Sequence, residues 1–210
     1  MLEVELKSQE LKEYLYAELG KDRSEPIYDA DLARITELDL DKIDLLDEQT
    51  DISMEDIVFF NNLKRCYLGN FILNDRNIYL LYSKKSLEFL QINNCVFTNH
   101  HDLELGVQDL VIVDSQNVQL SKLNDFGKMN KLRIVNCVNT NIDGISKFKN
   151  LKKIYLQNLN LNSVNEISKL PDITYVNLNG SKLQDDSFVK NNTDVIIEHE
   201  DINAIYDSED

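Results

Sequence analysis

Residues 151–183, LKKIYLQNLNLNSVNEISKLPDITYVNLNGSKL, state one pattern twice. Leu151, Ile154, Leu156, Leu159 and Leu161 are followed 22 residues later by Ile173, Val176, Leu178, Ser181 and Leu183. Counted from the first of each set, these are positions 1, 4, 6, 9 and 11. Positions 4 and 6 lie two residues apart, so both point to one face of a short strand while positions 3 and 5 point away from it. One such unit cannot bury its apolar face alone, and stacking copies into a coil does.

The same frame recurs upstream, starting at Ile35, Leu63, Leu87, Leu110 and Leu132. Apolar residues at these positions, repeated every 20–29 residues, are the signature of leucine-rich repeats. The expected fold is therefore α/β, a leucine-rich repeat solenoid of about seven repeats. It has parallel strands on the concave side and helices and 3₁₀ turns on the convex side. The expected division is an N-terminal helical cap over 1–34, the solenoid over 35–197, and a C-terminal cap with an acidic tail over 198–210.

Charge is distributed unevenly along the chain. Residues 1–60 carry 18 Asp and Glu against 6 Lys and Arg, and residues 194–210 carry 7 against none. The stretch between them has 12 against 16. Acidic ends disfavour nonspecific nucleic-acid binding, which needs a basic stripe, and keep terminal coils from stacking on a neighbour, so a monomer is expected. No apolar run approaches the ~18 residues of a membrane span, and the first ten residues lack the layout of a signal peptide. The expectation is a cytoplasmic chain without membrane insertion, or a secreted one if a leader has been trimmed. Cys66, Cys95 and Cys137 fall on inward positions of three repeats, where cysteine acts as a small apolar filler, and no CxxC pair is present.

Residues 8–19 place Leu11, Tyr14, Leu15 and Leu19 on one helical face, with Ser8 as N-cap and Gly20 just past the end. Pro26 then marks a turn, and 29–34 a short helical turn. In the arcs between strands, residues 53–63 read as an α-helix with Ser53 as cap and Asp56 answering it, and 78–87 as a second helix. Ile145 and Phe148, then Val164, Ile167 and Leu170, step by three and suit 3₁₀ turns. Glu198 falls where position 4 should be apolar, so the coil is expected to stop there, with Val195 and Ile197 adding a last short strand.

A helix ending in Leu19-Gly20, a polar loop, and then IYDADLARITELDL entering the first repeat resembles the N-terminal cap of internalin-like bacterial leucine-rich repeat proteins. The cap resemblance covers about residues 8–45. It implies a right-handed curved solenoid that binds protein ligands and has no catalytic residues. One departure is plain: position 9, usually Asn in that family, reads Ile43, Phe71, Cys95, Val118, Thr140, Leu159 and Ser181 in this frame.

Chemistry-bearing motifs are sparse. His100, His101 and Asp102 form the one run of metal-capable residues, without a second cluster at ligand spacing. His199 is isolated, and Asn191-Asn192-Thr193 matches a glycosylation sequon. There is no Gly-rich phosphate loop, no GxSxG and no Cys with a His partner, so neither enzyme activity nor a cofactor is expected. The concave strand face is the better place for function. In this frame position 3 reads Glu37, Arg65, Phe89, Ile112, Ile134, Lys153 and Tyr175, and position 5 reads Asp39, Tyr67, Gln91, Asp114, Asn136, Tyr155 and Asn177. Phe89, Ile112 and Ile134 would form an exposed apolar patch flanked by Tyr67, Tyr155 and Tyr175. Such a patch marks a protein contact, and the expected function is non-catalytic recognition of a protein partner. The alternative is an inhibitor or immunity protein that masks a basic toxin or enzyme with its acidic ends.

Overall fold

Short apolar-alternating segments bounded by Asn, Asp and Gly favour strands separated by tight corners, and the computed structural model of the chain is built that way. It describes residues 2–42, 54–74, 81, 84–98, 103–125, 127–191 and 194–199. One parallel sheet runs the length of the molecule, in the order β1 (Glu37–Asp39), β2 (Arg65–Gly69), β4 (Phe89–Asn93), β7 (Asp109–Val113), β9 (Lys131–Val135), β10 (Lys153–Gln157), β12 (Tyr175–Asn177) and β14 (Ile196–Glu198). Three two-stranded parallel ladders run beside it: β3 (Ile72–Leu73) with β5 (Val96–Phe97), β6 (Leu103–Leu105) with β8 (Leu123–Asp125), and β11 (Asn160–Ser163) with β13 (Lys182–Asp185).

Sheet register fixes the repeat frame. Leu38, Cys66, Leu90, Leu110, Leu132, Ile154, Val176 and Ile197 stand side by side at position 4. Two residues on, Leu40, Leu68, Ile92, Ile112, Ile134, Leu156 and Leu178 form a second column, and both are buried from the first strand to the seventh. Leu110 and Leu132 thus occupy position 4, not position 1 as expected from the sequence, so the fourth and fifth frames move by three residues. The shift arises because Val113, Val118 and Leu120, and in the next coil Val135, Cys137 and Ile142, satisfy the same apolar template three residues late. At the far end Ile197 sits opposite Val176, with Glu198 facing outward. The sheet therefore ends on an eighth strand, as the sequence allows at Val195 and Ile197, with its register one residue earlier than the frame from Val195 would place it.

The second to seventh coils turn their corners through a left-handed residue at position 8: Asn70, Asn94, Asp114, Asn136, Asn158 and Gly180 all have φ between 49° and 73°. Outside glycine, Asn and Asp tolerate this conformation best. The backbone N–H of each of the first five donates to the position-7 carbonyl of the next coil, so the ladder carries on through the corner: Asn70 to Asn93, Asn94 to Val113, Asp114 to Val135, Asn136 to Gln157 and Asn158 to Asn179, at 3.0–3.1 Å. Side chains repeat the linkage outside the coil. Asn94 Nδ2 donates to Asn70 Oδ1 (2.6 Å), Asn136 to Asp114 (3.0 Å) and Asn158 to Asn136 (2.7 Å). An ionised Asp114 accepts but has no proton to donate.

Inside the coil, cysteine and serine at position 9 bridge successive turns. The Phe71 N–H donates to Cys95 Sγ (3.4 Å), the Cys95 N–H to Ser115 Oγ (3.1 Å) and the Leu159 N–H to Ser181 Oγ (3.0 Å). The expected position-9 residues Val118 and Thr140 are replaced in the corrected frame by Ser115 and Cys137. All three cysteines are buried free thiols. Burial pushes Cys66 up to about 12 and Cys95 up to about 11, and it raises Cys137 as well. These thiols stay protonated and unreactive at neutral pH.

The N-terminal helix α1 (Gln9–Leu19) has Ser8 as N-cap, accepting from the Leu11 N–H, and ends at a left-handed Gly20. Leu11 and Leu15 are fully buried. Residues 2–4 pair antiparallel with 27–29, just before the short helix α2 (Asp29–Leu32). The arc over Met54–Phe59 is a 3₁₀ helix and not the α-helix expected; Ser53 lies outside the described residues. Asp56, 1% exposed, does not answer a cap in its own arc. Its carboxylate takes the N–H groups of Lys7 (3.0 Å) and Ser8 (2.9 Å), tying the start of α1 to the first arc. The 3₁₀ winding advances ~2.0 Å per residue against ~1.5 Å for an α-helix, which lets six residues cover more of the arc. Of the second expected helix, Leu81 is described and helical, 84–87 form a turn and not helix, and 78–80, 82 and 83 lie outside the described residues. The later arcs are 3₁₀ as expected, at Ile145–Lys147 and Asn165–Lys169, with a further one at Leu120–Lys122. A short helix α3 (Ser187–Asn191) buries Phe188 near the C-terminal end.

Removing the Asp56 carboxylate leaves two N–H groups, one of them buried, without a charged acceptor. Asp56→Ala is expected to lower stability by about 2–3 kcal/mol, read from urea denaturation. An unchanged midpoint would mean that the cap is not held through this contact.

Candidate recognition face of the long sheet

In the corrected frame the outward face of the long sheet has three columns. Position 3 reads Glu37, Arg65, Phe89, Asp109, Lys131, Lys153, Tyr175 and Ile196. Position 5 reads Asp39, Tyr67, Gln91, Val111, Arg133, Tyr155, Asn177 and Glu198. Position 7 begins Asp41, Gly69 and Asn93. Asp41 closes over Gly69 to accept from Asn93 Nδ2 (3.0 Å), and a Cβ at Gly69 would stand 2.9 Å from the Asp41 Cα, so glycine is needed there.

Four of the six residues singled out from the sequence, Tyr67, Phe89, Tyr155 and Tyr175, lie half-buried on this face. Ile112 and Ile134 do not. Both stand at position 6, are 0% exposed, and belong to the core. The continuous apolar patch is therefore absent, and Asp109 and Lys131 occupy the expected places of Ile112 and Ile134. Asp114 and Asn136, expected at position 5, are corner residues; Val111 and Arg133 stand there instead. Asp109, Val111, Lys131 and Arg133 are the outward residues that sequence reasoning missed. The Asn, Asp or Gly at position 8 of the second to seventh coils is the signal that places them.

The aromatics form two clusters, each joined to cations. Near the N-terminal end the rings of Tyr67 and Phe89 lie 5.3 Å apart, and the Arg65 guanidinium sits 4.2 Å from the Phe89 centroid. Arg65 also donates to the Tyr67 hydroxyl (2.7 Å) and pairs with Glu37 (3.3 Å). The Tyr67 hydroxyl and its surrounding charges hold the guanidinium pKa above its ordinary value. Toward the C-terminal end the rings of Tyr155 and Tyr175 lie 5.2 Å apart. Arg133 sits 4.9 Å and Lys131 5.8 Å from the Tyr155 centroid. Such stacking holds flat amphipathic side chains in place with little remaining freedom.

Of the other candidates, His100, His101, Asp102, Asn192 and Thr193 lie outside the described residues. His199 Nε2 lies 3.2 Å from the Ser181 carbonyl. Among the described residues no three His, Cys, Asp or Glu side chains gather to hold a metal ion, and no helix is long and apolar enough to cross a membrane.

No protein-family model matches the sequence, and no curated protein matches it. Among solved structures, internalin C2 from Listeria monocytogenes superposes with a TM-score of 0.56 at 17% identity, over 93% of this chain and 94% of that one. The fold is an internalin-like leucine-rich repeat solenoid. A second Listeria monocytogenes internalin, InlF, matches at 13% identity with a TM-score of 0.35, over 93% of this chain and 77% of its own. At 17% identity what internalin C2 and this chain share is the architecture alone.

The register makes a pair of substitutions diagnostic. Ile112→Asp buries a charge in the core and is expected to cost more than about 4 kcal/mol. Val113→Asp, one residue on and half-buried on the outward face, is expected to leave the protein folded. Thermal melts of both variants check this, and the opposite ranking would restore the frame that begins at Leu110.

Proposed function

We propose that the chain is a non-catalytic recognition module that binds a protein partner on the concave face of the solenoid. Tyr67, Phe89, Tyr155 and Tyr175 act as its anchors. The observation that carries this reading is the pair of cation-stacked aromatic clusters on the outward face of the long sheet, 5.3 Å and 5.2 Å between ring centroids. A core residue would be pointed inward, and a residue kept only for strand propensity has no need of a guanidinium over its ring. Aromatic and arginine side chains held rigid on a surface lose little freedom on binding and dominate interface energetics.

The stacked sheet makes the surface rigid, since each strand is hydrogen-bonded on both sides from β2 to β12. Arg65, Tyr67 and Phe89 lie near one end of this face and Lys131, Arg133, Tyr155 and Tyr175 toward the other. A partner spanning both clusters would cross Gln91 and Val111 between them. Val111 is 6% exposed, so the middle of the face presents Gln91 and Asp109 and no projecting apolar side chain.

The test begins with affinity capture and identification of a partner, followed by calorimetry with that partner purified. Tyr155→Ala is expected to weaken binding by about 2 kcal/mol or more, some thirtyfold, with little change in melting temperature. Val138→Ala, at an exposed position off this face, is expected to leave affinity unchanged. Equal affinities for wild type and Tyr155→Ala would contradict the reading.

A further inference from the structure

The two aromatic clusters differ in how their cations are neutralised. At the N-terminal end Arg65 is matched by Glu37 at 3.3 Å, and Lys42 by Asp39 at 2.9 Å. At the C-terminal end three cations stand together: Lys131 and Arg133 on β9, and Lys153 on β10. Among the described residues no carboxylate lies within salt-bridge distance of any of them. Arg133 Nε is buried with no hydrogen-bond partner. Lys131 and Lys153 are in register on adjacent strands, about 4.8 Å apart. Like charges placed side by side across neighbouring strands destabilise a sheet. A donor without an acceptor and two opposed lysines are features that folding alone does not favour.

From this cluster we infer that the concave face takes a short acidic segment of its protein partner, with carboxylates seated on Lys131, Arg133 and Lys153 and the chain laid against Tyr155 and Tyr175. This inference rests on the concave-face reading above and names the chemistry of the partner. Arg133 offers the planar fork that suits a carboxylate, and the lysines add point charges. The surroundings set the size of the segment. Asp109 on β7, in register with Lys131, borders the cluster on one side. Glu198 on β14 borders it on the other, already bonded to Asn177 Nδ2 at 2.6 Å. The exposed corner residue Asp114 accepts from Asn136. Between those carboxylates lie β9, β10 and β12, a width of about 10 Å, which about three extended residues span. Two carboxylates within three residues therefore fill the site, and a longer acidic run seats two of its carboxylates there while the remainder runs off the face.

The first probe is a fluorescein-labelled decaglutamate peptide, titrated by anisotropy at low salt, with decalysine and a ten-nucleotide oligothymidylate as comparisons. Decaglutamate is expected to bind, to weaken as salt is raised, and to bind at least tenfold more weakly to Lys153→Glu. Lys182→Glu, a matched charge reversal on β13 away from the face, is expected to change binding less than threefold. Because Lys153→Glu converts an opposed lysine pair into an attractive one, its melting temperature is expected to hold or rise as binding falls. No binding of decaglutamate, or equal losses in the two variants, overturns the inference. Oligothymidylate binding tenfold tighter than decaglutamate also overturns it and assigns the cations to nucleic acid. If decaglutamate fails while Tyr155→Ala still weakens the purified partner, the acidic-segment inference falls and the concave-face reading stands. If decaglutamate binding depends on Lys153 while Tyr155→Ala leaves the partner's affinity intact, the cation site stands and the aromatic reading falls.

Discussion

A coil that stacks parallel strands must reverse direction within a residue or two of each strand's end, and it must do so without leaving backbone groups unpaired. The left-handed residue at position 8 meets both demands. Asn70, Asn94, Asp114, Asn136 and Asn158 each turn the chain while their N–H groups bond to the next coil. The rest follows from that corner. It sets which residues of the preceding strand point inward, holds neighbouring strands in register, and so decides which side chains form columns on the outward face.

The two ends of a stacked coil need different solutions, because the end strands lack a neighbour on one side. At the start, α1 lays Leu11 and Leu15 over the first coil, and the buried Asp56 fastens the helix through the Lys7 and Ser8 N–H groups. Toward the other end, α3 buries Phe188, and β14 adds a short strand whose outward residues, Ile196 and Glu198, are exposed. Between them the interior is apolar, with the position-9 thiols and hydroxyls of Cys95, Ser115 and Ser181 accepting backbone N–H groups. These side chains bridge the turns where the internalin-like pattern would place asparagine. A small side chain also leaves room for the large residues at positions 4 and 6.

Much of this was legible in the sequence. The solenoid, the cap helix with Ser8 and Gly20, the 3₁₀ arcs near Ile145 and Ile167, and the buried cysteines all follow from apolar spacing and end signals. The frame of the fourth and fifth repeats did not, because an apolar template tolerates a shift of three when Val113, Val118 and Leu120 happen to be apolar too. Asn94, Asp114, Asn136, Asn158 and Gly180 recur at intervals of 20 to 22 residues and carry the missing information. They constrain backbone conformation, which a hydrophobic pattern does not. That shift moved Ile112 and Ile134 from the surface into the core and brought Lys131 and Arg133 out beside Tyr155. The 3₁₀ form of residues 54–59 was illegible for another reason: Asp56 serves an element 48 residues away, and local capping rules see only local partners.

The central claim is that position 8 sets the register, placing Ile112 and Ile134 inside and the Tyr155 cluster outside. Methyl NMR with a soluble paramagnetic agent tests it without altering the chain. The account predicts that the methyl signals of Ile112 and Ile134 keep their intensity, while those of exposed Ile196 and Val138 broaden strongly and Val113 broadens to an intermediate degree. Strong broadening at Ile112 and Ile134 with Val113 protected would contradict it, and with it the composition of the outward face of the long sheet.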